Sequence, residues 1–278
     1  MPELPEVQTV VNDLNQAALI GLRITGIDVY WPRMIGFPTV AAFKPRLIDR
    51  KIQLIRRRGK YIVLELDQMD RLLIHLRMSG RLRLVDRAAK RDPHEHIIVT
   101  FSDKRQLRMH DTRKFGRWRL ETGNQPSVLD HLGPEPLTKS FTAKILEKNL
   151  RRRHRKLKPL LLDQSFIAGL GNIYVDEALW QSRLHPCRLS DTLEFTQVKA
   201  LHRAIRRVLR CAIANMGTSL GAGKANFYSV PGRLGKNRDQ LNVFRQTGLP
   251  CPRCNQKIIR LVVGQRGTHI CPGCQKTT

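Results

Sequence analysis

After Pro5 the apolar positions Val7, Val10, Val11, Leu14 and Ala18 recur at helical spacing. Proline suits a first helical turn and Gly21 suits a stop, so this pattern predicts a helix over about 5–19. From Ile24 to Leu120 the period shortens to β-type runs. Examples are Ile62–Leu66, the alternating Arg81–Val85, Ile97–Phe101 and Trp118–Leu120, with turn residues such as Ser102-Asp103 between. Several short strands at this spacing predict a β-sandwich or barrel. Beyond the Pro/Gly-rich stretch Leu132-Gly133-Pro134-Glu135-Pro136-Leu137 the pattern turns helical, at about 141–149, 158–166, 172–181 and 196–215. In the last, Val198, Leu201, Ile205, Val208, Leu209 and Ala212 form one face, and Lys199, Arg203, Arg206, Arg207 and Arg210 lie mainly opposite. Residues 217–240 carry Gly217, Gly221, Gly223, Gly232 and Gly235 among basic residues and read as a mobile loop.

These switches divide the chain into an N-terminal domain 1–135, a helical domain 136–240 and a terminal module 241–278. A length of 278 residues exceeds what one core usually fills, which agrees with more than one module. No run of about 18 apolar residues occurs, so no membrane partner is expected. The opening segment lacks a basic, then apolar, leader, so a cytoplasmic location is expected. No nucleotide-cofactor loop and no oligomerisation seam stand out, so a monomer is the default.

The charge is lopsided. Up to residue 135 there are 24 basic and 16 acidic residues; beyond it, 26 and 7, within a formal net charge of +27. Such a field implies a polyanionic partner, with nucleic acid first. Arg151-Arg152-Arg153-His154-Arg155-Lys156-Leu157-Lys158 runs straight into Pro159-Leu160-Leu161-Leu162, so this basic run is tied to a core.

The pairs Cys251/Cys254 and Cys271/Cys274 have the spacing C-x2-C-x16-C-x2-C, which suits one structural Zn2+ with its shell filled by four thiolates. Cys187 and Cys211 are expected to be reduced and buried. At the other end Met1 precedes a small residue. Its removal exposes the secondary amine of Pro2, whose pKa lies well below a lysine's, and Glu3 beside it can shuttle a proton. Read alone, Glu3 and Glu6 equally suit the helix dipole.

Together, Pro2-Glu3-Leu4-Pro5-Glu6-Val7 and the cysteine quartet resemble the formamidopyrimidine-DNA glycosylase (Fpg, MutM) family. So do Gly59-Lys60-Tyr61, His75-Leu76-Arg77-Met78-Ser79-Gly80, Asp111-Thr112-Arg113-Lys114-Phe115-Gly116, Leu132–Leu137, Lys158-Pro159, Gly169–Glu177 and Gln265-Arg266-Gly267-Thr268, in order. The resemblance implies an α+β multidomain fold. An N-terminal helix and β-sandwich would precede a helix–two-turn–helix domain, with 217–240 as a base-sensing loop, and a zinc finger. It implies a bifunctional glycosylase/AP lyase of base-excision repair acting on damaged double-stranded DNA, with oxidised purines such as 8-oxoguanine and formamidopyrimidines as lesions.

In that family the proline amine attacks C1′, the base leaves, and a Schiff base precedes strand cleavage. The matching residues are Pro2 as nucleophile, Glu3 as acid/base, Lys60 for β-elimination and Arg266 for δ-elimination; Lys60 and Arg266 also suit phosphate contacts. A flipped-out base leaves a hole, and Met78, Arg113 and Phe115 match the trio that fills it. Lys158 and Asn172 match phosphate contacts, and His94 and Arg153 align with further DNA contacts. Four positions depart from the pattern. Arg77 and Met216 stand where glycine is usual, Thr112 where proline is, and Pro93 where lysine is. Two alternatives are an endonuclease VIII-type enzyme for oxidised pyrimidines and a non-catalytic zinc-finger protein that binds DNA.

Overall fold

The computed structural model describes residues 1–123, 125–221 and 225–277. The chain divides into two compact units, Met1–Asp130 with Asn215–Lys236, and His131–Ala214 with Asn237 onward.

The first unit opens with α1 (Leu4–Gln16) and continues through β1 (Ile24–Val29), β2 (Ile35–Phe37), α2 (Val40–Leu47), β3 (Ile52–Arg58), β4 (Tyr61–Leu66), β5 (Asp70–His75), β6 (Arg81–Asp86), β7 (Glu95–Phe101), β8 (Arg105–His110) and β9 (Arg117–Thr122). One sheet has the order β2-β9-β5-β4-β3 and is antiparallel except for the β2/β9 pair; the other, β1-β7-β8-β6, is antiparallel throughout. Alternation turns Ile62, Leu64, Leu72, Ile74, Trp118 and Leu120 of the first sheet into the same buried cluster as Ile97, Val99, Leu107 and Met109 of the second. The expected β-sandwich is therefore present. The apolar stripe Val7, Val10, Val11 and Leu14 of α1 joins this core. Truncating one such residue, as in Leu64→Ala, costs about 2–5 kcal/mol.

α1 starts at Leu4 and ends at Gln16, inside the expected bounds at its C-terminus. Pro5 lies in its first turn, and a capping box joins Glu3 and Glu6: each side chain accepts from the other's backbone N–H. It ends before Ala18, which takes a left-handed φ of 53°. α2 interrupts the stretch expected to be all strand; Thr39 caps it, its side chain accepting from Ala42 N–H. Its short Ala-Ala-Phe segment shows too little periodicity to stand out.

The loop at 217–240 corrects the expectation most. Asn215–Lys236 belongs to the N-terminal unit, and Phe227 and Val230 enter its core cluster. Two carboxylates of α1 hold this segment. Thr218 N–H donates to Glu6 Oε1 at 2.7 Å, while Val230 N–H and Arg233 Nη2 donate to Asp13 at 3.0 and 2.8 Å. Residues 222–224, including Gly223, lie outside the described residues. A loop whose apolar residues are so sparse shows no period, although Phe227 and Val230 anchor it.

The second unit holds α3 (Ala143–Arg151), α4 (Leu157–Leu162), α5 (Asn172–Gln181), α6 (Phe195–Ala214), β10 (Ile259–Val263) and β11 (Arg266–Ile270). Its boundary falls at 130/131 instead of 135/136. α4 stops at Leu162, four residues early, because Asp163 Oδ1 accepts from both N–H and Oγ–H of Ser165 and turns the chain. The terminal module is not a separate body: Trp180 of α5 shares a cluster with Val243, Cys251, Ile258 and Cys271. Cys187 and Cys211 are half-buried, not buried. Among the described residues no helix is long and apolar enough to cross a membrane.

Candidate active site and zinc centre

Within the N-terminal unit, Pro2 and Glu3 are buried at the start of α1, and Met1 ahead of them is 41% exposed. The two-residue turn Gly59-Lys60 joins β3 to β4, Gly59 supplying a φ of 56°. Arg57 ties this turn to α1, its guanidinium donating to Gln8 Oε1 and to Gly59 O, both at 3.0 Å. Farther down the helix Asn15 donates to Ile55 O. The strand thus runs along α1 with the Lys60 turn toward the helix N-terminus, and Lys60 is itself buried.

His75, at the end of β5, faces Tyr61 edge-on at 4.8 Å and accepts from Arg77 N–H through Nδ1 at 2.9 Å. Burial, with the charges of Arg77 and Lys60 beside it, lowers its pKa to about 3. It is a neutral ring against a cationic turn.

Met78 and Phe115 are each 45% exposed, and Arg113 is exposed with its guanidinium 4.8 Å from the Phe115 ring centre. The structure thus sets all three on two surface turns of the same unit. Both turns contain a left-handed non-glycine residue, Arg77 at φ 55° and Lys114 at 59°. Met216 takes φ 58°. The two positions where the sequence departs from an expected glycine are therefore ones whose backbone favours it. His94 is exposed, edge-on to His110 at 5.7 Å.

In the second unit the turn Gly264-Gln265, with both residues at positive φ, closes the β10–β11 hairpin and sets exposed Arg266 at its tip. The next carbonyl, Gly267 O, accepts from Lys158 Nζ and Asn172 Nδ2, both at 3.0 Å. Lys158, matched above to a phosphate contact, is fully buried, with Nζ 2.6 Å from Asp176 Oδ1, and its ammonium supports the hairpin. Asp176 completes the support by accepting from His269 N–H at 2.9 Å. Arg153 is exposed in the basic run between α3 and α4. Gly169 (φ 92°) and Gly171 lead into α5, whose first residue is Asn172. Glu177, buried on α5, accepts from the backbone N–H groups of Asn242, Val243 and Phe244, which fixes the lead into the cysteine module.

The four sulfurs of Cys251, Cys254, Cys271 and Cys274 lie within 4.8 Å of one another, with separations of 3.9, 3.3 and 3.6 Å along three edges. A tetrahedral ion with metal–sulfur bonds of ~2.3 Å needs edges of ~3.8 Å, so the donors fit zinc. Burial pushes the Cys251 thiol up, but N–H donors from Arg253 and the Trp180 indole outweigh it and bring it down to about 6. Burial pushes Cys271 up to about 12; a divalent cation at the centre reverses that penalty. Four protein ligands leave no open position, so the zinc is structural: it holds the module that carries the hairpin.

Residues 1–118 match the formamidopyrimidine-DNA glycosylase N-terminal domain, 132–222 its H2TH domain, and 248–277 the zinc finger found in FPG and IleRS. The formamidopyrimidine-DNA glycosylase of Protochlamydia amoebophila is 47% identical over 276 residues, covering 99% of this chain and all of that protein. That of Lactococcus lactis is 40% identical over 281 residues, with the same full coverage of the relative. Among solved structures, a Lactococcus lactis FPG variant in complex with Fapy-dG-containing DNA superposes with a TM-score of 0.91 at 39% identity, covering 99% of this chain and all of that one. MutM in complex with DNA containing carbocyclic 8-oxo-G gives 0.90 at 39%, with the same coverage. With all three domains matched in order and full-length relatives well above 30% identity, the chain belongs to the formamidopyrimidine-DNA glycosylase family.

Proposed function

We propose that this protein excises oxidised purines from double-stranded DNA and then cleaves the strand at the resulting abasic sugar. It is a base-excision repair glycosylase with lyase activity. In this reading Met1 is removed, and the freed Pro2 nitrogen attacks C1′. The glycosidic bond breaks and the base departs with its electron pair and a proton. The Pro2 nitrogen, a secondary amine, forms an iminium with C1′. Glu3 protonates O4′ as the sugar ring opens. Loss of a C2′ proton expels the 3′ phosphate, with Lys60 beside the leaving group. A second elimination expels the 5′ phosphate, with Arg266 in the corresponding place. Met78, Arg113 and Phe115 fill the gap left by the everted nucleotide. His94, Arg153 and the α5 N-terminus, with Asn172, serve the phosphates. A chromosomal substrate places the protein in the cytoplasm, at the nucleoid.

The observation that supports this reading best is the junction at the start of α1: Pro2 and Glu3 open a buried, boxed helix end toward which Arg57 draws the Lys60 turn. The test is borohydride trapping on an 8-oxoguanine duplex. A covalent protein–DNA adduct is expected for the processed protein and is lost in Pro2→Gly. Absence of the adduct from a protein shown to lack Met1 overturns the proposal.

A further inference from the structure

Asp111 is fully buried where the two exposed turns meet. Its Oδ1 accepts from Arg113 N–H at 3.1 Å and from Ser79 Oγ–H at 2.5 Å; its Oδ2 accepts from Gly116 N–H at 2.7 Å. One carboxylate thus grips both ends of the turn bearing Arg113 and Phe115, and also the residue that follows Met78. Its backbone is bound as well: Asp111 N–H donates to His94 O at 2.9 Å, Lys114 N–H donates to Asp111 O at 3.2 Å, and His96 Nε2 meets the same carbonyl at 3.0 Å.

An apolar contact runs parallel to this one. The Met109 methyl fills the space that a side chain would need at either Gly80 or Gly116, one glycine at the base of each turn. Met109 is the second-last residue of β8 and Asp111 follows the strand's end, so one short segment supports both turns from below. The left-handed backbone at Arg77 and Lys114 persists only where its surroundings hold it.

We propose that Asp111 is a positioning residue that makes the Met78 turn and the Arg113–Phe115 turn insert as one body. This rests on the reading of those three side chains as the gap-filling set. Asp111 itself touches no reacting atom. Its effect belongs to the step in which a paired base is displaced, and not to chemistry on a sugar already without its base.

The test compares two single-turnover rates, excision of 8-oxoguanine paired with cytosine and β-elimination at a preformed abasic site. Asp111→Asn places an NH2 group against donors that it cannot accept from, and excision is expected to fall about 10²-fold. Elimination at the abasic site is expected to change less than about threefold. Ser79→Ala removes only the link between the turns and keeps the test available if Asp111→Asn does not fold. It should lower excision about tenfold. In its background the combined effect of Met78→Ala and Phe115→Ala should become additive, whereas with Ser79 present the two are coupled.

Equal losses in both rates, unchanged excision in Ser79→Ala, or the same coupling with and without Ser79 overturns the proposal. If the wild-type protein performs neither reaction, the functional reading fails and this proposal with it. An active wild type with unaffected variants overturns this proposal alone.

Discussion

Lys158 Nζ and Asp176 Oδ1 lie 2.6 Å apart with both side chains fully buried, and the same ammonium reaches Gly267 O beside Arg266. Removing one partner strands a buried charge, so Lys158→Met should cost about 3–5 kcal/mol in denaturant unfolding. A lysine serving only a phosphate would leave stability unchanged and reduce the salt slope of DNA binding by about 0.9. Measuring both quantities separates the two roles.

Arg77 occupies a left-handed backbone at φ 55°, which costs a side-chain-bearing residue about 1–2 kcal/mol. Arg77→Gly removes that penalty and one of the charges facing His75. Glycine's greater freedom in the unfolded chain offsets part of the gain. A net stabilisation of up to about 1 kcal/mol is expected, read as a higher melting temperature.

His75 is depressed from 6.5 to about 3, and burial lowers His96, His110 and His185 in the same direction. The unfolded chain therefore binds protons that these rings refuse in the fold. The His75 contribution is full above about pH 6.5 and is lost progressively as pH falls toward 3, and the other three rings act in the same direction. Unfolding free energy should decline over that interval, and His75→Gln should flatten the decline. An equal slope in the variant would contradict the assignment.

Zinc removal should act through the hairpin. Cys251 and Cys271 belong to the cluster that includes Trp180, so a chelator removes packing from both module and helix. Chelation should expose Trp180 to solvent, seen as a red shift of its emission, and should abolish cleavage. Because the ligands bind as thiolates, zinc uptake should release protons and weaken as pH falls.

Gly217 has φ 78°, and a Cβ there would lie 2.8 Å from Glu6 Oε1, the atom that accepts from Thr218 N–H. Gly217→Ala should destabilise the fold by about 1–2 kcal/mol. It should also slow base excision more than abasic-site cleavage, because the segment it displaces leads into the expected base-sensing loop. Comparing the two rates in one preparation checks this.

Elements whose pattern is local can be read from the order of residues alone. The stripe of α6 and the strands around Ile62–Leu66 and Ile97–Phe101 follow from periodicity, and the cysteine spacing places four sulfurs about one metal. The order of motifs carried the family. Tertiary structure decided what depends on contacts between distant residues. Lys158 looks like part of a basic surface run until Asp176 and Gly267 enclose it. The glycine-rich segment after Met216 looks mobile until Glu6 and Asp13, more than two hundred residues earlier, accept its backbone N–H groups. Asp111 opens a recognisable block, but its tie to the Met78 turn shows only in the fold, where its carboxylate accepts from Ser79, thirty-two residues earlier. Charge and hydropathy along the chain record which residues are able to bury or bond. They do not record which of those opportunities folding uses, because that depends on pairings between positions far apart in sequence.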